Sequence, residues 1–161
     1  MKIIPILRKR TVLATAGFMA LVLAVAGLSV AWTGQVSRPF QITGTATGEI
    51  TSVAPDLTIT STYKGVGEAT HCGRFLDEGT STLSLVTGKG TGEGTFVAAD
   101  GSKWFYTFVV DGATFTVTTT GGTGRFKGGT CEFVAQLDNL QVDLTAGTTS
   151  YTYVGSGEIT Y

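Results

Sequence analysis

The run "SKWFYTFVV" at residues 102–110 alternates: Trp104, Tyr106, Phe108 and Val110 fall on one side of an extended chain, and Phe105, Thr107 and Val109 on the other. "CEFVAQLD" at 131–138 does the same, with Cys131, Phe133, Ala135 and Leu137 opposite Glu132, Gln136 and Asp138. A period of two is the signature of half-buried strands. From about Pro39 onward the chain is Thr, Gly, Val and aromatic residues, with no amphipathic helical stretch. Thr and aromatics favour strands, and glycine punctuates them. The pattern predicts about eight strands, at 40–51, 57–70, 81–88, 93–99, 102–110, 113–120, 129–138 and 148–160, with a less defined run at 140–144. Asp100-Gly101 and Asp111-Gly112 fall between such runs and read as tight hairpin turns.

A hairpin series of this size makes a sandwich or a closed barrel. The string "GEIT" occurs at 48–51 and again at 157–160, in the first and last strands. A chain ending inside a strand leaves an open edge unless another strand covers it, and the first strand is the natural cover. Gly44, Gly48, Gly65, Gly67, Gly155 and Gly157, inside strands, suit the sharp coiling of a small barrel. The expected fold is all-β: a single antiparallel, roughly eight-stranded β-barrel over 40–161, preceded by one N-terminal hydrophobic helix within 1–32 and a polar linker, "TGQVSRP", at 33–39.

The N-terminal segment fixes the expected compartment. Lys2, Arg8, Lys9 and Arg10 precede residues 11–32, "TVLATAGFMALVLAVAGLSVAW", and no charge follows until Arg38. A basic region before an apolar one is an export signal. Ala24-Val25-Ala26 or Ser29-Val30-Ala31 would serve a signal peptidase. Val12 to Trp32 also supplies the 21 residues that a retained transmembrane anchor needs. Both readings place the remainder outside the cytoplasm, periplasmic or at the cell surface, secreted or anchored. Residues 11–161 hold seven basic against 12 acidic residues, a net charge of −5. That argues against nucleic acid, whose phosphates demand clustered Lys and Arg, and against an anionic lipid surface as partner of the globular part.

Two cysteines in an exported domain most often form one disulfide. Cys72 and Cys131 would close a loop of about 59 residues, contributing roughly 4 kcal/mol in the chain-entropy model.

Other groupings are weak. "GGTGRFKGG" at 121–129 superficially resembles a phosphate loop, but Gly122, Gly124 and Gly128 have the wrong spacing and strand text follows, so it reads as a turn between strands. His71, the single histidine, adjoins Cys72 in "GEATHCGRF" at 67–75. In an extended strand these neighbours point to opposite faces, and one His with two Cys falls short of a structural zinc set. Catalysis through His71 would need Glu68, Asp77 or Glu78 within reach. Trp104, Tyr106, Phe108 and Phe133 are candidate lining of a barrel interior, because eight-stranded barrels can hold one small molecule; core packing explains the same residues.

"GEATHCGRF", followed about 50 residues later by "TTTGGTGRFKGGTCEF", resembles a group of bacterial exported proteins carrying strings of the form A-T-H-x-G-R-F and G-G-T-G-R-F-x-G-x-x-G-x-F. That group is similar to the allene oxide cyclase and dirigent-like barrels, antiparallel eight-stranded cups, and the resemblance covers nearly all of residues 40–161. It implies a cofactor-free barrel and transfers no catalytic residue. Cys72 and Cys131 depart together from the pattern, where those positions are usually apolar and Gly. The resemblance therefore implies a disulfide between two neighbouring strands.

The expected function is non-enzymatic: an extracytoplasmic binding or structural module, an accessory subunit whose partners are membrane proteins. The alternative is a cofactor-free isomerase or cyclase, or a carrier of a small apolar ligand. No metal or cofactor is expected. The carrier reading requires a cavity of several hundred Å3 with one or two buried polar groups.

Overall fold

The computed structural model describes residues 36–160. Eight strands follow one another around a closed antiparallel barrel: β1 (Ser37–Val53), β2 (Thr58–Ala69), β3 (Gly73–Ser84), β4 (Lys89–Ala98), β5 (Lys103–Asp111), β6 (Thr114–Gly122), β7 (Thr130–Asp143) and β8 (Thr148–Thr160). Closure comes from β1 pairing β8 along its length, from Ser37↔Thr160 to Glu49↔Thr148. The two "GEIT" strings lie in these strands but do not face each other: Gly48 pairs Thr149 and Gly157 pairs Phe40. The expected N-terminal helix, and linker residues 33–35, lie outside the described residues. The barrel begins at Ser37, three residues before the expected start.

The alternation read in β5 and β7 is an inside–outside alternation. Trp104, Tyr106, Phe108 and Val110 are buried, as are Cys131, Phe133, Ala135 and Leu137. The outer wall is rich in exposed threonine, such as Thr80, Thr82, Thr91, Thr107, Thr116 and Thr118. Burying each large apolar side chain contributes about 1.5–3 kcal/mol.

Two strand assignments need correction. Expected strands 81–88 and 93–99 are displaced: β3 starts at Gly73, and residues 85–88 are the turn before β4. Gly79, Gly90 and Gly92 fall between the expected strands, yet they are strand residues, as is Gly94. A Cβ at Gly92 would collide with the Phe108 ring, and one at Gly94 with both the Tyr63 and Tyr106 hydroxyls. Here glycine is spacing for aromatic rings, not punctuation. The run at 140–144 largely continues β7, past a register shift between Asp138 and Gln141 where Asn139 adopts a φ of +54°.

The two ends of the barrel differ. At the end where β1 begins, the 3-10 turn Gly124–Phe126 folds Phe126 inward onto Trp104, with ring centroids 4.7 Å apart. Phe40 packs on Trp104 and on Phe133 at 6.1 and 5.3 Å. This end is plugged. The opposite end carries turns 54–57, 85–88, 112–113 and 144–147 around a shallow mouth of about 40 Å3 lined by Leu83, Val110, Leu140, Val142 and Thr149 among others.

Candidate functional site

Among the described residues, the buried polar and charged side chains are Ser61, Asp77, Ser102 and Thr149. Asp77 is the only one of the four with an ionisable acid. It sits on β3 between Phe75 and Gly79 on the inward face. Its register partners Gly65 and Phe96 belong to the flanking strands, so the carboxyl enters the middle of the barrel. Tyr106 donates to Asp77 Oδ1 at 2.5 Å. The Tyr63 and Tyr106 hydroxyl oxygens are 2.7 Å apart, and Tyr63 also reaches the Glu93 carbonyl at 3.3 Å. With the Tyr106 proton committed to Asp77, Tyr63 is the donor to Tyr106 when it does not bond Glu93. Gly79 and Gly94 supply the room for this cluster, since a Cβ at either would strike the Tyr63 hydroxyl.

Burial dominates the electrostatics. Desolvation raises the Asp77 carboxyl from 3.8 to about 7, although the hydrogen bonds it accepts from Tyr106 and from the backbone of Glu78 pull the other way. Desolvation likewise pushes Tyr63, Tyr106, Tyr151 and Tyr153 upward, with the charge of Asp77 adding to each. Chemically this is a neutral carboxylic acid poised to exchange a proton near pH 7 among phenols that stay protonated. The space beside it is small. A void of about 30 Å3, lined by Asp77, Tyr106, Phe108, Phe133 and Tyr153 among others, has room for about one or two water-sized molecules. The Tyr153 hydroxyl lining it is buried without a hydrogen-bond partner.

Of the expected lining residues, Tyr106, Phe108 and Phe133 face this void, while Trp104 lies in the plug. Its indole N–H is also buried without a partner. Sequence reasoning marks Asp77 only as a possible partner of His71. The displaced β3 hides its facing; the signal that could have found it is the alternation Phe75, Asp77, Gly79, Ser81.

His71 and Cys72 are not in a strand. They form the β2–β3 turn, with His71 at a φ of +65° and its Nε2 3.2 Å from the Pro39 carbonyl. Asp77 faces inward, and Glu68 meets Arg74 on the surface at 3.8 Å. No group of three or more metal-ligating side chains occurs among the described residues.

The expected disulfide is not formed: Cys72 and Cys131 are free, buried thiols. The premise of neighbouring strands fails, because β7 pairs with β6 and β8 whereas Cys72 belongs to the β2–β3 turn. Arg125 Nη2 donates to the Cys72 carbonyl at 2.7 Å, and the Cys131 N–H donates to Thr119 Oγ1 at 2.7 Å. Both sulfurs pack in the core as small apolar groups. Burial pushes the Cys72 thiol up to about 11 and Cys131 higher still. Native protein should therefore resist alkylation at neutral pH and take up two alkyl groups once denatured. An intact mass two protons light, with no uptake, would contradict the free-thiol assignment.

The "GGTGRFKGG" stretch ends β6 with Gly121 and Gly122 and then forms the connection to β7. Its Arg125 ties three loops together, contacting the Cys72 carbonyl, the Asp100 carboxylate at 3.3 Å and the Phe126 ring at 4.8 Å. The ion pair is half-exposed and contributes little by itself. Arg125→Ala should cost about 1–2 kcal/mol in denaturant unfolding, chiefly through the Cys72 carbonyl bond. An unchanged midpoint would remove that role.

Neither a protein-family model, nor a curated protein, nor a solved structure matches the chain.

Proposed function

We propose that the chain is a non-enzymatic extracytoplasmic module that works through the outside of its barrel, as an accessory subunit of a larger membrane complex. The observation that supports this most is the filled interior. A void of about 30 Å3 beside Asp77 falls far short of the roughly 300–1,000 Å3 of ordinary small-molecule sites. The apolar segment at 11–32 supplies the means of export or tethering. Purification of the full chain from its native membranes tests the reading. The expected result is an intact N-terminus and co-purification with other membrane subunits in fixed ratio. Cleavage after Ala26 or Ala31, with the barrel running alone, would remove the membrane-complex version.

The Asp77–Tyr106–Tyr63 cluster favours a second reading: a cofactor-free isomerase or cyclase, or an apolar-ligand carrier, of the allene oxide cyclase and dirigent-like class. A carboxyl near pH 7 suits general acid–base work. Tyr63, Phe108, Phe115 and Tyr151 line both the inner void and the mouth, so their displacement would join the two. A ligand taken inside would raise the melting temperature with its concentration. Absence of any rise with apolar carbonyl and phenolic compounds would remove this reading.

A further inference from the structure

At the mouth end, backbone bonds tie each turn to a neighbouring turn or strand. Ile50 N–H donates to the Gly147 carbonyl at 2.8 Å, Leu85 to Leu57 at 3.0 Å, Gly112 to Gly88 at 2.9 Å and Leu137 to Ala113 at 2.7 Å. The rim is thus a laterally bonded ring. On it stand five exposed aliphatic side chains: Val53, Leu57, Val86, Leu140 and Leu144. Val86 is 70% exposed and Leu57 46%. Large apolar side chains gathered on one end of a barrel are costly in water and mark interaction surfaces.

Leu57 adds an independent observation. It occupies the β1–β2 turn with a φ of +60°, where glycine or asparagine is the easy choice and a branched apolar residue is strained. The strain is not repaid by burial, because the side chain is half in solvent. Strained residues persist where surroundings or function require that side chain.

We infer that the mouth rim is a docking surface for a protein partner presenting apolar side chains bordered by Lys or Arg. The border follows from charge. Lys89 is paired with Asp111 at 3.7 Å, while Asp56 and Asp143 flank Leu57 and Leu144, their carboxylates oriented by backbone N–H groups of Thr58, Thr145 and Ala146. An anionic lipid surface is repelled by that pair. A second copy docked rim to rim would bring the like-charged carboxylates together. β1 begins at the opposite end of the barrel from this rim. The inference rests on the accessory-module reading and names the face it uses.

The test uses the purified full chain and a labelled amphipathic Lys/Leu peptide, with a Glu/Leu peptide of the same length as control. The Lys/Leu peptide should bind, the Glu/Leu peptide at least tenfold more weakly, and phosphatidylcholine vesicles should not displace it. Leu57→Gly should weaken binding at least tenfold while raising the melting temperature, because glycine relieves the positive φ. Val86→Ser should weaken binding without changing stability. Equal binding of both peptides, displacement by vesicles, rim-dependent dimerisation, or a lower melting temperature for Leu57→Gly would each overturn the inference. If Leu57→Gly still co-purifies with membrane subunits in full ratio, the rim inference fails while the accessory-module reading stands.

Discussion

At pH 8, Asp77→Asn should be more stable than the parent by about 3–4 kcal/mol, and at pH 4 the two should be nearly equal. The sign follows from linkage. Folding raises the Asp77 carboxyl from 3.8 to about 7, so between these values the folded chain holds a proton that the unfolded chain releases. Stability attached to Asp77 is complete below about pH 4, falls as pH rises toward 7 and is flat above. Each tenfold difference in proton affinity between the folded and unfolded chain is worth about 1.4 kcal/mol. Asn keeps an oxygen for the Tyr106 hydroxyl and never ionises. Denaturant unfolding from pH 4 to 8.5 measures the difference directly. A gap that does not grow between pH 4 and 7 would mean that the carboxyl is not held neutral in the folded interior.

Gly94→Ala should cost about 3 kcal/mol, although Ala ordinarily stabilises a strand relative to Gly. The added Cβ would overlap the Tyr63 and Tyr106 hydroxyls and lie 2.6 Å from Tyr106 Cζ. Relieving that overlap displaces the donor to Asp77, so overpacking and a lost buried hydrogen bond act together. Combining Gly94→Ala with Tyr106→Leu should cost clearly less than the sum of the two single changes, because the collision with Tyr106 disappears and only that with the Tyr63 hydroxyl remains. Strict additivity in that double-mutant cycle would place the effect elsewhere.

The barrel is legible in the sequence because period-two alternation is local. β5 and β7 each carry alternating aromatic and aliphatic residues, and the Asp-Gly turns announce themselves. β3 and β4 come out displaced because their inward positions include glycines that a linear reading takes for breaks. At Gly79 and Gly94 their meaning lies in Tyr63 and Tyr106, and at Gly92 in Phe108, rings distant in sequence that fill the space. Asp77 is obscured for the same reason: its facing depends on a register that glycine conceals. The disulfide expectation assumed two neighbouring strands, which sequence alone cannot show: Cys72 lies in the β2–β3 turn and Cys131 on β7, and both thiols are free. Adjacency misleads at His71-Cys72 too, because the turn depends on His71 taking a positive φ, a conformation that histidine rarely advertises.

Central to this protein is a filled barrel whose one buried carboxyl faces a void too small for an organic ligand. The most direct measurement is a high-resolution crystal structure of the full chain grown with saturating p-cresol, a slim phenol whose hydroxyl could bond Asp77. A filled interior predicts density for no more than one or two waters between Asp77 and Tyr153, with Phe115 and Tyr151 in place. A phenol ring inside the barrel, with those two side chains swung aside, would contradict it and make the interior the working surface.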